Sequence, residues 1–307
     1  METAEYTLGC PLVSVVMPTF TASSTLQRAI DSVMTQTFAD LELIVVDDGS
    51  TDATPDILGA QTDPRIRVVR FPQNGGLVAA LNRGLAEARG ALIARLDADD
   101  VALPERLALQ VEAFERRPNL VLCGCAAVRV SADGTVVGRS VPPATHARLA
   151  AGFVSANRLA YSSTMFRRDT AVAVGGYAAW AYPAEDYHLW LQLMREGEAI
   201  GLPFVGVHYL VNPRGISAVN AERQAAVAQQ VSPLGLGYPR GIRRIRQLSA
   251  CVRAVRRDLK RRGIALTGSA AQWRLDAFRA SNGGRLTRLA TLALVAPDLL
   301  VLSVLSP

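Results

Sequence analysis

Apolar residues in the first 130 positions fall into short continuous runs separated by stretches of helical spacing. The runs are VSVVM (13–17), LELIVV (41–46), IRVVRF (66–71), ALIARL (91–96) and LVLCGCAAVRV (120–130). VSVVM, without in–out alternation, predicts a strand covered on both faces, and the other runs are read as further strands. Between them apolar positions recur every three or four residues. Leu26, Ala29, Ile30, Val33 and Met34 form one helical stripe, with Ser23 or Ser24 as its cap. Leu77, Ala80, Leu81, Leu85 and Ala88 form a second, which ends at Gly90. Pro104 opens a third helix, with Leu107, Val111 and Phe114 inward and Pro118 as its stop. Strands alternating with helices predict βαβ units, and so an α/β fold with a mainly parallel sheet flanked by helices.

The pattern changes after residue 130. Residues 131–220 hold an Asp133-Gly134 turn, a Pro142-Pro143 pair, STMF (163–166), VGGY (174–177) and PAEDYHLWLQL (183–193). From Asp186 the spacing is helical again, with Leu189, Leu193 and Met194 on one stripe. The segment 240–263 holds ten basic residues and one acid, with Ile242, Ile245, Leu248, Val252, Val255 and Leu259 at helical spacing. That is a basic amphipathic helix, a candidate for peripheral contact with an anionic membrane through 240–262. The last stretch, 289–307, is apolar but short for a bilayer span and is interrupted by Pro297 and Asp298. Interfacial contact or packing on the body is expected of it. The chain is therefore divided into an α/β domain at 12–220 and a basic helical extension at 221–307.

Composition narrows the chemistry. Half of the 307 residues are hydrophobic, which excludes a disordered chain. The net charge of +6 is uneven. Residues 240–307 carry 14 Lys and Arg against Asp258, Asp276 and Asp298, a net +11, and the first 239 carry 19 against 24, a net −5. The tail thus expects an anionic partner, with no nucleic acid implied. Lys260 is the only lysine, so the body has neither a Schiff-base lysine nor a phosphate loop of the G-x-x-x-x-G-K-[ST] kind. No G-x-G-x-x-G follows a strand. Four cysteines (Cys10, Cys123, Cys125, Cys251) without a C-x-x-C pair, and three histidines, argue against structural zinc and for a reducing compartment. No basic n-region precedes an apolar stretch at the N-terminus, so a cytoplasmic location is expected, with the inner face of the cell membrane as the place of any contact.

Carboxylates mark where chemistry would sit. In open parallel sheets ligands bind beyond the carboxyl ends of the strands. MPTF (17–20), DDGS (47–50) and DADD (97–100) all occupy such ends and should share one crevice. Two carboxylates 4 Å apart repel by about 4 kcal/mol at an intermediate dielectric. Asp47, Asp48, Asp97, Asp99 and Asp100 together therefore need compensation, and Mg²⁺ or Mn²⁺ supplies it while bridging a diphosphate. Either acidic cluster alone would read as ordinary turn chemistry. Both together, with Glu185 and Asp186 downstream, read as a site.

The segments VSVVMPTF, ELIVVDDGSTD, NGGLVAALNRGL, ARLDADD followed by LPERL, VGGY and AEDYHLW stand in this order. Together they resemble the family 2 inverting glycosyltransferases of the GT-A fold over roughly residues 12–217. The resemblance implies a nucleotide-sugar donor, a UDP-sugar by preference, and a saccharide or lipid-linked acceptor in cell-surface polysaccharide or glycolipid synthesis. It implies that Pro18, Thr19 and Asp48 hold the nucleoside, with Asp48 on the base. Asn74, Gly75 and Asn82 would pack near the nucleotide. Asp97 and Asp99 match the D-x-D, with Asp99 the direct metal ligand. Asp186 matches the general base and Glu185 its neighbour. Trp190 is read as core in preference to a sugar platform. Many relatives have histidine where this chain has Tyr161, and Arg214 falls later than the usual basic residue of the closing segment. Two rival readings stand beside this one. A nucleotidyltransferase on a similar sheet would carry a glycine-rich, lysine- or arginine-bearing loop after the first strand, where this chain has PTFTASST. A catalytically silent nucleotide-binding module would bind without turnover.

Overall fold

A computed structural model of the chain describes residues 10–153, 156–212 and 215–232. The basic segment 240–262, the apolar end 289–307, Arg214, Cys251 and Lys260 lie outside those residues.

The first half follows the predicted alternation. β1 (Val13–Thr19), α1 (Leu26–Met34), β2 (Leu41–Asp47), α2 (Thr54–Gly59), β3 (Ile66–Arg70), α3 (Leu77–Glu87) and β4 (Leu92–Arg95) follow one another. β1 pairs in parallel with β2 and β4, and β2 with β3. Every residue of β1 and β2 is buried, as continuous apolar runs require of strands covered on both faces. Alternate residues serve opposite layers. Val13, Val15 and Met17 pack with α1, and Val16, Ile44 and Val46 pack with α3.

The second half is built differently. β5 (Val101–Ala102), α4 (Arg106–Glu115), β6 (Leu120–Val130), β7 (Val136–Ser140) and α5 (His146–Phe153) lead to a 3-10 turn at Tyr161–Ser163. Then come β8 (Thr164–Arg167), α6 (Arg168–Ala173), a 3-10 turn at Ala179–Ala181, α7 (Glu185–Glu196), β9 (Glu198–Leu210), α8 (Ile216–Val219) and α9 (Ala221–Val231). Among the described residues the nine strands form one sheet in the order β3-β2-β1-β4-β8-β6-β9-β5, with β7 beside β6. β8 runs antiparallel to both neighbours, so β6 and β9 point the same way as β1–β4. Six strands share one direction, and β5, β7 and β8 oppose it.

Three local expectations need correction. The cap of α1 is Thr25, without a side-chain cap bond, because the chain at 21–23 is held from outside the helix. Pro104 precedes α4 by two residues and does not occupy its first turn. α9, assigned to the extension, lies on the body: Val231 is fully buried and Gln224 donates to the Pro183 carbonyl at 2.8 Å. Cys10, Cys123 and Cys125 are free thiols. No helix among the described residues is long and apolar enough to cross a membrane.

Candidate active site

Strand register brings the predicted ends together. Thr19 lies opposite Asp47, and Asp47 opposite Arg70. The Asp48 amide donates to the Thr19 carbonyl at 2.9 Å, closing β1 onto β2. The Thr19 hydroxyl is buried without a partner.

The carboxylates of DDGS have separate tasks. Asp47 is fully buried; one oxygen accepts the Ser50 amide at 3.0 Å, and the other pairs with Arg70 at 3.2 Å. It fixes the turn. Asp48 accepts the Gly75 amide at 2.7 Å on one oxygen and the Gly76 amide at 2.9 Å on the other. An ionised carboxylate has about four acceptor positions, so both oxygens keep a lone pair free. Asn74 and Gly75 are exposed on the loop that Asp48 ties down. Gly49 makes this approach possible. Its φ is +74°, and a Cβ there would lie 2.6 Å from the Gln73 carbonyl carbon.

The rest of that motif serves the neighbouring loop. Ser50 accepts the Thr21 amide at 2.9 Å, Thr54 the Ala22 amide at 3.0 Å, and Asp52 the Ser23 amide at 3.1 Å. Burial opposes ionisation of Asp52, but hydrogen bonds from Thr54 and Ser23 outweigh it and hold the carboxyl below its usual range. Three consecutive amides of the loop after β1 are thereby occupied. A phosphate cradle of the kind a nucleotidyltransferase needs would require them free.

The second acidic cluster has an unexpected cation. Arg95, fully buried, donates to Asp97 at 2.7 Å, to the Leu96 carbonyl at 3.2 Å and to the Val16 carbonyl. Its guanidinium lies 4.3 Å from the centre of the Tyr161 ring, within cation–π range. Ser162 bonds to Asp97 twice, accepting its amide at 3.0 Å and donating to its carboxylate at 3.2 Å. A second buried guanidinium, Arg106, donates to the carbonyls of Arg95 and Thr164 at 2.8 and 3.1 Å. Sequence reasoning missed both arginines, since the type is almost never fully buried unless paired.

What remains uncompensated lies further along. No side chain among the described residues donates to the Asp99 carboxylate, which is pushed up to about 6 by burial and by Asp97 against the charge of Arg28, itself bonded to the Asp99 carbonyl at 3.4 Å. Asp100 is buried; one oxygen accepts the Leu210 amide at 2.8 Å and the other has no partner. Burial, Asp97 and Asp99 raise it as well. An orphaned buried oxygen beside a strained carboxyl suits a hard cation with oxygen ligands. No group of three His, Cys, Asp or Glu side chains among the described residues converges on one point. Such a cation would therefore find one or two carboxylates here and need its other ligands from outside the protein.

Asp186 stands in the first turn of α7, where the helix dipole favours an anion. One oxygen accepts the Tyr187 amide and the other the Asn157 side-chain amide, both at 2.6 Å. Burial pushes its carboxyl up to about 6 against those two hydrogen bonds. Glu185 is buried with an unpartnered oxygen; burial and Asp186 push it up to about 8. The field of Asp97 and Arg95 reaches both acids, which ties α7 to the β4 end electrostatically. Asn157 also lines a cleft of about 470 Å³ with Ser140, Pro143, Gly152 and Arg158.

Two further residues singled out in the sequence are held by the scaffold. Asn82 uses both ends of its amide on the Tyr177 backbone, at 2.8 and 2.9 Å, and so clips α3 to the VGGY loop. Trp190 is fully buried against Tyr161 and Phe166, as the core reading expected.

Residues 14–183, more than half of the chain, match the profile described as Glycosyl transferase family 2. The chain belongs to that family. An uncharacterized glycosyltransferase of Haemophilus influenzae is 28% identical over 241 residues, covering 75% of each chain. A UDP-Glc:alpha-D-GlcNAc-diphosphoundecaprenol beta-1,3-glucosyltransferase of Escherichia coli is 27% identical over 212 residues, covering 67% of this family 2 chain and 80% of that one. Some relatives are much longer: the match spans 19% of a chondroitin synthase from Pasteurella multocida. Among solved structures, a mannosyltransferase of Pyrobaculum calidifontis in complex with GDP-Man and Mn²⁺ superposes with a TM-score of 0.55 at 19% identity, covering 94% of this chain and 87% of that one. That likeness establishes the fold, the GT-A arrangement of a curled sheet flanked by helices.

Proposed function

We propose that this family 2 glycosyltransferase moves a sugar from a nucleotide-sugar, a UDP-sugar by preference, to an acceptor hydroxyl with inversion. Cell-surface polysaccharide or glycolipid synthesis is the process it would serve. The observation that carries the proposal is the partition of the acids. Asp47 and Asp97 have arginine partners and Asp48 has backbone amides, whereas Asp99, Asp100, Glu185 and Asp186 have no cation paired with them among the described residues. Acids without an ion pair of their own, though reached by the fields of Arg28 and Arg95, fit a metal–diphosphate site on one side and a proton acceptor on the other.

On this reading Pro18, Thr19, Asp48, Asn74 and Gly75 hold the nucleoside. The orphan Thr19 hydroxyl and the free lone pairs of Asp48 are the groups left to meet it. Asp97, fixed by Arg95 and Ser162, shapes the donor side. Asp99 would hold Mg²⁺ or Mn²⁺, which neutralises the departing diphosphate when bound. Asp186 removes the proton from the acceptor hydroxyl as that oxygen attacks the anomeric carbon. The bond from the anomeric carbon to the diphosphate oxygen breaks, and the nucleoside diphosphate leaves with the electron pair. A carboxyl raised to about 6 is ionised at neutral pH yet more basic than an ordinary aspartate. Asn82 acts on the donor side only by fixing the loop at Tyr177.

The catalytic unit is assigned to 12–220 with α9 packed on it, and the basic segment 240–262 to an anionic membrane near a lipid-linked acceptor. Removing residues 240–307 should then release the protein from the membrane fraction. The test of the function is a panel of nucleotide sugars, each assayed for hydrolysis to the nucleoside diphosphate with Mg²⁺ or Mn²⁺ and with EDTA. Metal-dependent release of one diphosphate supports the proposal. Release of pyrophosphate from a nucleoside triphosphate and a sugar phosphate would favour a nucleotidyltransferase instead.

A further inference from the structure

Asp186 is held from a segment that no sequence motif marks. α5 is docked onto β9 through His146, whose Nδ1 accepts the Ala199 amide at 3.0 Å. Its last residue, Phe153, packs against the Tyr187 ring at 5.5 Å and accepts the Tyr187 hydroxyl through its carbonyl. The chain leaving α5 is thereby pinned to the residue next to Asp186. Four residues beyond Phe153, Asn157 meets the carboxylate. The amide cannot be turned over, because its oxygen accepts the Leu159 amide at 3.0 Å, which leaves the NH₂ end toward Asp186.

Building on the base assignment above, we propose that Asn157 is the positioning residue of Asp186. It aims one carboxylate oxygen and keeps the side chain in its proton-accepting form inside an acidic, buried setting. The groups facing Asp186 explain the need. Burial and Asp97 beyond β4 favour the neutral form, while Glu185 on the same helix, pushed up to about 8, is uncharged where Asp186 titrates. Arg95 on β4 opposes them, with its charge shared by Asp97 and the Tyr161 ring. The Tyr161 and Tyr177 hydroxyls, both buried, remain neutral. Arg158 acts on Tyr187. Of the two groups among the described residues that donate to Asp186, the Tyr187 amide is fixed by the backbone, so Asn157 is the one whose chemistry a side chain determines. An amide can stabilise the carboxylate here without adding a charge, and it cannot itself accept the proton. An aspartate at 157 would share one proton with Asp186.

The experiment uses the full chain labelled at the aspartate ¹³Cγ and needs no ligand. The resonance missing from Asp186→Asn identifies the site, and its titration is followed in wild type, Asn157→Leu and Asn157→Asp. Wild type should titrate near pH 6. A charge-assisted hydrogen bond corresponds to about one to two pH units, so Asn157→Leu should move the midpoint up by at least about one unit. Asn157→Asp is isosteric and carries the test if the leucine variant does not fold; it should raise the midpoint further. An unchanged Asp186 midpoint in a folded variant overturns the proposal. The acid limb of sugar transfer should move by the same interval in each active variant. Transfer retained by Asp186→Asn would overturn the base assignment while leaving the titration result standing, so the two failures are distinguishable.

Discussion

Replacing Glu185 by glutamine should favour the folded protein more at alkaline pH than in acid. Glu185 is 4% exposed with one oxygen unpartnered, and its carboxyl lies near 8 against an ordinary 4.5. A carboxyl raised on folding binds its proton more tightly in the folded chain. Its contribution is fully present below about pH 4.5 and is lost as pH rises through about 8. The 3.5-unit difference between those values corresponds to roughly 5 kcal/mol when ionisation is complete in both states. About 1 kcal/mol of that is already lost at pH 5. The stability difference between variant and wild type should therefore be roughly 4 kcal/mol more favourable to the variant at pH 9 than at pH 5. Glutamine adds a buried amide whose cost does not vary with pH, so only the difference between the two conditions is diagnostic. Urea unfolding followed by tryptophan fluorescence, with Trp190 in the core, gives both values. A variant-to-wild-type difference that is the same at pH 5 and pH 9 would refute the assignment of a strained, unpartnered carboxyl to Glu185.

Two further substitutions separate donor contact from scaffolding. Asp48→Ala removes the acceptor of two loop amides and should weaken nucleoside diphosphate binding at least about tenfold by calorimetry, the effect of losing roughly one charge-assisted hydrogen bond. Unchanged affinity would remove Asp48 from the donor site. Asn82→Leu leaves the Tyr177 amide without its acceptor and should cost about 1 to 3 kcal/mol of stability, with nucleotide affinity little altered once the protein is folded. A large affinity loss without a stability loss would restore Asn82 to the donor contacts.

The parts of this molecule that could be read from sequence are those whose causes are local. β1, β2 and β4 announce themselves because strands buried on both faces need apolar runs, whereas β3, with Arg67 and Arg70 in its run, lies half-exposed. DDGS and DADD stand out because acids at strand ends are conspicuous. The second half was less legible for identifiable reasons. β8 is four residues long, and β9 carries Gly201, Pro203 and Gly206 within a thirteen-residue strand. Pairings across long separations leave no periodic trace. Asn82 meets Tyr177 across 95 positions, and Asn157 meets Asp186 across 29. Arg95 sits inside an apparently ordinary strand, and only its burial reveals it as the counterion of Asp97. The crevice therefore needed less external charge than its five aspartates suggested, and the shortfall narrows to Asp99, Asp100 and the α7 acids.

The most direct test of sugar transfer by Asp186 is a paired measurement on Asp186→Asn with the donor found in the panel. Binding of that donor should stay within a few-fold of wild type, because Asp186 is assigned to the acceptor side. Transfer should fall by at least about a hundredfold, the lower range for loss of a general base. Transfer near the wild-type rate, with donor binding intact, would contradict the account.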